Sequence, residues 1–278
     1  MSSLVKFEKE DRVAVVSLNR PEKLNALNPA MRNELAEVIE RIGNDESIGA
    51  VVLTGEGRAF CTGADIAGSD MPTDPIGVVA TYKKNSDRQL CIWNLPQPVI
   101  AAVNGYALGR GMEVALWCDI VIAASEAQFG EPECRDGWFI ASIIPALTTP
   151  QQAKLLMLSG ERISATKARE IGLVTEVVPG ADCKPAAIAL AKRLAHIPTP
   201  TARLMKRYIN AIADGMPLNE AMNYGNTMGA LLRTHTDEQL GVSELVKIRE
   251  TQGMKAYFQA RDKPFNQDDA WSRLNKPR

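Results

Sequence analysis

The chain has 278 residues, a formal net charge of −1 and a hydrophobic content of 45%. That length is enough for one large domain with a substantial core, and the composition is that of an ordinary globular protein. The balanced charge excludes a global basic field that would gather nucleic acid or an anionic membrane, so any anionic ligand has to be bound by a local site.

Cysteine usage and the N-terminal segment favour a reducing compartment. The five cysteines are odd in number and widely spaced, and none forms a CxxC pair, so we predict neither a disulfide framework nor a zinc knuckle. His196 and His235 lie far apart, and we interpret them as structural or surface residues, with no metal site expected. Residues 1–18 lack an apolar signal core. No apolar run approaches the roughly 20 residues that span a bilayer. We therefore expect a cytoplasmic protein.

Short apolar runs alternate with helical patterns over the first two thirds of the chain. Asn28-Pro29 is typical of a helix start, with apolar residues then recurring on one helical face from Leu35 to Ile42. A second long helix is predicted over residues 77–94. Strands that alternate with helices favour an α/β fold with buried parallel strands. The predicted strands are residues 4–7, 13–18, 50–54, 99–103 and 119–123.

The pattern becomes helical after residue 180. Apolar periodicity predicts helices over residues 185–197, 201–213, 218–232 and 237–250, with little strand signal. The chain contains neither a P-loop nor a GxGxxG fingerprint. The sequence motifs that usually indicate nucleotide hydrolysis or dinucleotide binding are therefore absent.

Two glycine-rich segments each follow a predicted buried strand. Residues 55–66 read GEGRAFCTGADI, and small residues there let a ligand approach the backbone, so that a free N–H at Ala64 is available to an oxygen. Residues 104–119 read NGYALGRGMEVALWCD, which predicts a helix N-terminus next to a glycine turn. Such an end carries unpaired N–H groups that stabilise negative charge on an oxygen. Close strand–helix packing also explains the glycines of both segments.

These segments resemble the enoyl-CoA hydratase/isomerase, or crotonase, family. Three further stretches resemble it in the same order: SLNRPEKLNAL at 17–27, AQFGEPE at 127–133 and LSGERISATKAREIGLV at 158–174. The resemblance implies an α/β fold, a crotonase-like spiral of ββα units over residues 1–197. A C-terminal helical trimerisation region would follow over residues 198–278, in a homotrimer or a dimer of trimers.

The resemblance also implies an active site. The backbone N–H groups of Ala64 and Arg110 would form an oxyanion hole for a thioester carbonyl. Glu113 would hold a water molecule and remove its proton during attack on the β-carbon, and Glu133 would deliver a proton to the α-carbon. Without the resemblance, Glu113 is equally a helix-start carboxylate and Glu133 a charge on a surface loop. Glu131 is interpreted as a loop residue or a neighbour of the site.

Coenzyme A contacts are implied for the N-terminal motif and the first glycine loop. The implied residues are Lys23, Leu24, Ala26, Ala64, Asp65 and Ile66. Arg110 stands where the family often has glycine. Its N–H remains available for the oxyanion hole, and we expect its side chain to pack, although it also has the chemistry to meet a CoA phosphate or a neighbouring carboxylate. Trp138 and Phe139 stand where many family hydratases have small residues. These bulky rings either pack in the core or line and shorten the acyl pocket.

The leading interpretation is an enoyl-CoA hydratase that acts on a 2-enoyl-CoA thioester without a cofactor, since CoA is part of the substrate. A Δ3,Δ2-enoyl-CoA isomerase is the first alternative, because it needs the same oxyanion hole and one carboxylate at Glu133. A crotonase-fold hydrolase or decarboxylase is another. An RNA-binding relative is disfavoured by the acidic first helix over residues 31–46, so we expect no nucleic-acid partner and no membrane partner.

Overall fold

The computed structural model describes residues 3–66, 72–137 and 140–265. The chain begins with an antiparallel hairpin of β1 (Val5–Glu10) and β2 (Val13–Leu18). Helix α1 (Pro29–Gly43) follows, and the Asn28 side chain accepts a hydrogen bond from the Met31 N–H at 2.8 Å. The two predicted strands and the predicted helix start are confirmed.

Three successive segments then repeat one pattern, in which a longer strand is followed by a short strand and a helical segment. The first comprises β3 (Ala50–Gly55), β4 (Ala59–Cys61) and α2 (Pro75–Trp93). The second comprises β5 (Val99–Val103), β6 (Tyr106–Leu108) and α3 (Arg110–Leu116). The third comprises β7 (Ile120–Ala124), β8 (Gln128–Gly130) and a 3-10 helix at Pro132–Asp136.

The two strands of each repeat belong to different sheets. With β9 (Ile163–Ser164) and β10 (Glu176–Val178), the strand orders are β1-β2-β3-β5-β7-β10 and β4-β6-β8-β9. The pairs β3–β5–β7 and β4–β6–β8 are parallel, so each repeat advances by one strand in both sheets at once. This advance is the spiral of ββα units that the family resemblance implies. It also brings the loops after β4, β6 and β8 to a common edge.

Helices cover the large sheet and form the C-terminal region. Strands β3 and β5 are buried along their whole length, as expected for parallel strands covered on both faces. The predicted helix over residues 218–232 is confirmed to the residue, whereas the last helix spans Ser243–Asp262 rather than residues 237–250 and has a break at Gly253. The remaining helices are α4 (Ile144–Leu147), α5 (Pro150–Ser159), α6 (Ala165–Glu170), α7 (Cys183–Leu194), α8 (Thr199–Ala213), α9 (Leu218–Leu232) and α10 (Ser243–Asp262).

Within the described ranges, no helix is both long and apolar enough to cross a membrane.

A buried ion pair attaches the C-terminal helices to the core. Lys206 of α8 donates to Asp119 Oδ2 at 2.7 Å and to the Gln97 carbonyl at 3.2 Å, and Asp119 Oδ2 also accepts the Val99 N–H at 2.7 Å. The Lys206 side chain is 9% exposed and that of Asp119 19%. Burial raises the pKa of Asp119, and the attraction of Lys206 opposes that rise. The charged form of buried Asp119 is therefore stabilised by Lys206.

We predict that Lys206→Met destabilises the protein by about 3–5 kcal/mol, because it leaves the Asp119 carboxylate buried without its counter-ion. Urea denaturation measures this loss. The control is Lys83→Met, which removes a pair with Asp87 whose side chains are 75% and 55% exposed and should change little. Equal stability of the two variants would show that the buried pair does not hold α8 against the core.

Candidate active site

The two glycine-rich loops meet where β4 and β6 end. Gly63 has φ +98°, and a Cβ built on it would lie 2.9 Å from the Leu108 carbonyl oxygen and 3.4 Å from the Arg110 nitrogen. Gly109 has φ +50°, and a Cβ there would lie 1.9 Å from Glu133 Oε1. Both positions need glycine, because a side chain would push apart the loops or the carboxylate.

The backbone N–H groups of Ala64 and Arg110 lie on these neighbouring loops. Ala64 bridges to Leu27 through the bonds from the Leu27 N–H to Gly63 and from the Asp65 N–H to Leu27. That pairing leaves the Ala64 N–H without a partner among the described residues. Arg110 is the first residue of α3, where an N–H has no partner within the helix, and its N–H bonds to the Glu133 carboxyl. The Ala64 N–H is thus available to an oxygen atom from outside the chain, whereas the Arg110 N–H is occupied by the Glu133 carboxyl.

The N-terminal motif packs against the first glycine loop. The Leu24 carbonyl accepts the Thr62 N–H at 3.2 Å, and Arg20 pairs with Asp65 at 3.0 Å while also donating to the Ala26 carbonyl. Leu24 and Asn25 both have positive φ. The buried Asn25 side chain offsets this strain, since it accepts the Arg20 N–H at 2.8 Å and donates to the Ala59 carbonyl at 2.8 Å.

The six residues predicted to contact CoA therefore lie in two adjoining segments. Lys23 is exposed at the end of a 3-10 helix, and Ile66 is 83% exposed. Leu24 and Ala26 are partly buried beside Ala64 and Asp65. The structure brings these residues together at the rim of the two loops.

Glu113 is the most enclosed carboxylate of the site. It lies in the first turn of α3 and is 0% exposed. Its Oε1 accepts the Ser142 hydroxyl at 2.6 Å, and its Oε2 accepts the Trp117 indole N–H at 3.1 Å and the Ile143 N–H at 3.3 Å. The Trp117 ring packs edge-on against Trp93 with centroids 5.7 Å apart, which fixes the direction of the indole donor.

Glu133 lies in the 3-10 helix after β8 and is partly buried. Burial raises the pKa of its carboxyl. Its own backbone N–H and the Arg110 guanidinium oppose that rise, and the charge of Glu113 adds to it. Its Oε2 is buried without a hydrogen-bond partner. Interpretation as a surface loop charge is therefore wrong for Glu133.

Glu131 is a third carboxyl, interpreted from the sequence as a loop residue or a neighbour of the site, and the structure places it as a buried neighbour. It is 3% exposed, and its side chain lies in hydrogen-bond contact with Glu113 and Ser142. The signal that could have located it is the two-residue repeat of a strand, because Glu131 follows β8 two positions after the buried Phe129 and so continues the inward face.

The Arg110 side chain packs between helices rather than reaching outward. Its Nη1 donates to Gln89 Oε1 of α2 at 3.2 Å. Burial lowers the pKa of the guanidinium, and the charges of Glu113 and Glu133 oppose that shift. The packing role expected from the sequence is confirmed, and the side chain is also a cation beside two carboxyl groups. Trp138 and Phe139 lie outside the described residues, so both interpretations, as core residues or as lining of the acyl pocket, stay predictions.

Comparison with known proteins places the chain in a family. The model described as enoyl-CoA hydratase/isomerase matches residues 8–268. The chain belongs to the enoyl-CoA hydratase/isomerase family. Among solved structures, an enoyl-CoA hydratase subunit from Geobacillus kaustophilus superposes with a TM-score of 0.80 at 33% identity, over 91% of this chain and 99% of that chain.

Family relatives of similar sequence carry different activities. The (E)-benzylidenesuccinyl-CoA hydratase of Thauera aromatica is 34% identical over 85% of this chain and 93% of its own length. The 1,2-epoxyphenylacetyl-CoA isomerase of Escherichia coli is also 34% identical, over 87% and 95%. The chain is thus an enzyme of the enoyl-CoA hydratase/isomerase family. Because relatives of equal identity catalyse different reactions, family membership alone does not assign the reaction.

We predict that Gly109→Ala destabilises the protein by more than about 1–3 kcal/mol, because a strained φ is combined with a clash against Glu133. The matched control is Gly137→Ala, which has φ +74° but no atom within 4 Å of its added Cβ and should cost about 1–2 kcal/mol. Thermal and urea unfolding compare the two. Equal losses would show that Glu133 does not lie over Gly109 in solution.

Proposed function

We propose that the protein is an enoyl-CoA hydratase, which adds water reversibly to a 2-enoyl-CoA thioester. The observation that carries the proposal is the convergence of four groups at one place. The N–H groups of Ala64 and Arg110 lie on loops in contact, and Glu113 and Glu133 lie beside them within electrostatic reach of each other and of Arg110.

The two N–H groups would bind the thioester carbonyl oxygen. As water adds to the β-carbon, negative charge moves to that oxygen, and donors held by rigid backbone stabilise the enolate more than the ground state. Loss of one such donor typically costs about 3–4 kcal/mol. In this proposal the carbonyl oxygen replaces Glu133 as the partner of the Arg110 N–H, which leaves Glu133 facing the α-carbon.

The two glutamates would supply the base and the acid. Glu113 removes a proton from water as the oxygen attacks the β-carbon, and Glu133 adds a proton to the α-carbon as the enolate collapses. The raised pKa of Glu133 supports the second role, because a carboxyl kept neutral by burial can act as an acid near neutral pH. The reaction as written uses side chains, backbone and water, and requires no cofactor.

Enoyl-CoA isomerase is the second candidate, and one observation favours it. Glu113 has no exposed surface, and protein donors occupy both of its oxygens, whereas Glu133 retains an unpartnered oxygen. A double-bond shift needs only one carboxyl that removes and returns a proton, and Glu133 has that freedom.

We propose that the CoA part of the substrate lies along the rim formed by Lys23, Leu24 and Ala26 with Ala64, Asp65 and Ile66. The support is their placement in two adjoining segments next to the proposed oxyanion hole. A panel of enoyl-CoA thioesters tests the reaction. Loss of the conjugated enoyl absorbance with a mass gain of one water supports hydration, whereas migration of the double bond without a mass change supports isomerisation.

We predict that Glu113→Gln and Glu133→Gln each lower the hydration rate by about 10²–10⁴-fold, because glutamine keeps the shape of glutamate but exchanges no proton. Acyl-CoA binding should be largely retained, and the double variant should lose less than the product of the single losses. Hydration and double-bond migration are measured for all three variants, with circular dichroism to confirm folding.

Full hydration by Glu113→Gln would contradict the mechanism with two carboxylates. If the same variant also kept double-bond migration while Glu133→Gln lost it, the isomerase proposal would replace the hydratase proposal.

We also propose self-association through the C-terminal helices. Large apolar side chains are exposed on α8 and α9. The described part of the chain does not cover this apolar face, which is typical of an association surface. We predict a trimer or hexamer of the 30.3 kDa chain by light scattering, and a monomer mass at working concentration would contradict it. These side chains are Met205, Ile209, Ile212, Leu218 and Met222.

A further inference from the structure

Two carboxyl groups touch in the interior of the site without a cation between them. Glu131 and Glu113 are within hydrogen-bond contact, and they are 3% and 0% exposed. Two buried carboxylates at this separation cannot both be ionised without a large repulsive cost. At least one proton is therefore shared between them, and the surrounding donors decide which carboxyl carries it.

The donors are distributed unequally. Glu113 receives three hydrogen bonds, from Ser142, Trp117 and Ile143. Such donors favour the charged form of a carboxyl. Across the described residues, no N–H donates to Glu131, and its Oε1 has no partner. Ser142 is near both, but its single hydroxyl proton points to Glu113 at 2.6 Å.

We propose that Glu131 remains protonated and donates a hydrogen bond to the Glu113 carboxylate, as a positioning residue that holds the proposed base in its charged form. The proposal rests on the hydratase function proposed above. A neutral Glu131 supplies a donor to the base without adding a third negative charge beside the developing enolate.

The other groups near Glu131 agree with this assignment. Burial is the largest cause that raises the pKa of Glu131, to about 9; contact with Glu113 and the charge of Glu133 add to the rise, and the Ser142 hydroxyl opposes it. The guanidinium of Arg110 lies near Glu113 and Glu133 rather than against Glu131. Because the folded pKa lies above the ordinary 4.5, the native state binds a proton that the unfolded chain releases. Stability from this group is therefore present at acid pH and is lost as pH rises from about 4.5 towards about 9.

The test compares two substitutions that differ in donor capacity. Glu131→Gln keeps a donor in its amide group, and its kcat for hydration should stay within about threefold of wild type. Glu131→Leu keeps the volume but removes the donor, and its kcat should fall roughly 10- to 100-fold with KM little changed. The acid limb of its pH profile should also move to higher pH, because the charged base has lost a donor. Glu161→Gln, at an exposed position, controls for the loss of a glutamate.

Two outcomes would overturn the proposal. If Glu131→Gln loses as much activity as Glu113→Gln, then Glu131 exchanges a proton during the reaction and is not a fixed donor. If Glu131→Leu has full activity and an unchanged pH profile, the contact with Glu113 has no effect on the base.

Two measurements do not depend on hydration, so they separate this proposal from the proposed function. The infrared difference spectrum of wild type minus Glu131→Gln at neutral pH should show the carbonyl band of a buried protonated carboxyl, whereas that of wild type minus Glu161→Gln should not, because any band from Glu133 cancels in both. The melting temperature of Glu131→Gln should fall less than that of wild type between pH 6 and pH 9. A difference spectrum of wild type minus Glu131→Gln without the band would refute the protonated state, even if Glu131→Leu fails to fold.

Discussion

The close approach of two backbone turns is the constraint on which the site depends. Gly63 has positive φ and leaves no room for a Cβ against the Leu108 carbonyl, so the ends of β4 and β6 can touch, and Gly109 has positive φ and leaves no room for a Cβ against the Glu133 carboxyl. Parallel pairing of β4, β6 and β8 sets the spacing of these loops, because each ββα repeat adds one strand to each sheet. The α/β spiral therefore determines where the N–H groups of Ala64 and Arg110 lie before any ligand binds.

Near these donors the chain concentrates charged groups that are buried or partly buried. The carboxyl groups of Glu113 and Glu133 lie near the Arg110 guanidinium, and a third carboxyl, that of Glu131, contacts Glu113. In a low dielectric their protonation states are set by hydrogen bonds as much as by charge. In the account proposed here, Ser142, Trp117 and Ile143 donate to the carboxyl of Glu113, while burial raises the pKa of Glu131 and of Glu133. One carboxylate and one acid are the combination that hydration requires.

Sequence patterns predicted the architecture because strands, caps and apolar faces are local signals. Asn28-Pro29 marked a helix start, and the buried run of β5 was predicted to the residue. The environment of Glu113 was not predictable, since Trp117, Ser142 and Ile143 reach it through tertiary packing. For Glu131, the strand repeat of β8 could have indicated the inward direction, but its contact with Glu113 depends on a helix from the preceding repeat. The boundaries of α10 were misplaced because Gly253 interrupts the helix without ending it.

Vibrational spectroscopy of a bound thioester tests the central claim most directly. A non-reactive acyl-CoA with a ¹³C-labelled carbonyl would be bound to the protein and its C=O stretch compared with that in water. Two backbone donors in a dry site predict a shift to lower frequency, because they polarise the carbonyl more strongly than water does. A bound carbonyl at its aqueous frequency would contradict the account, since the Ala64 and Arg110 N–H groups would then not act on the thioester.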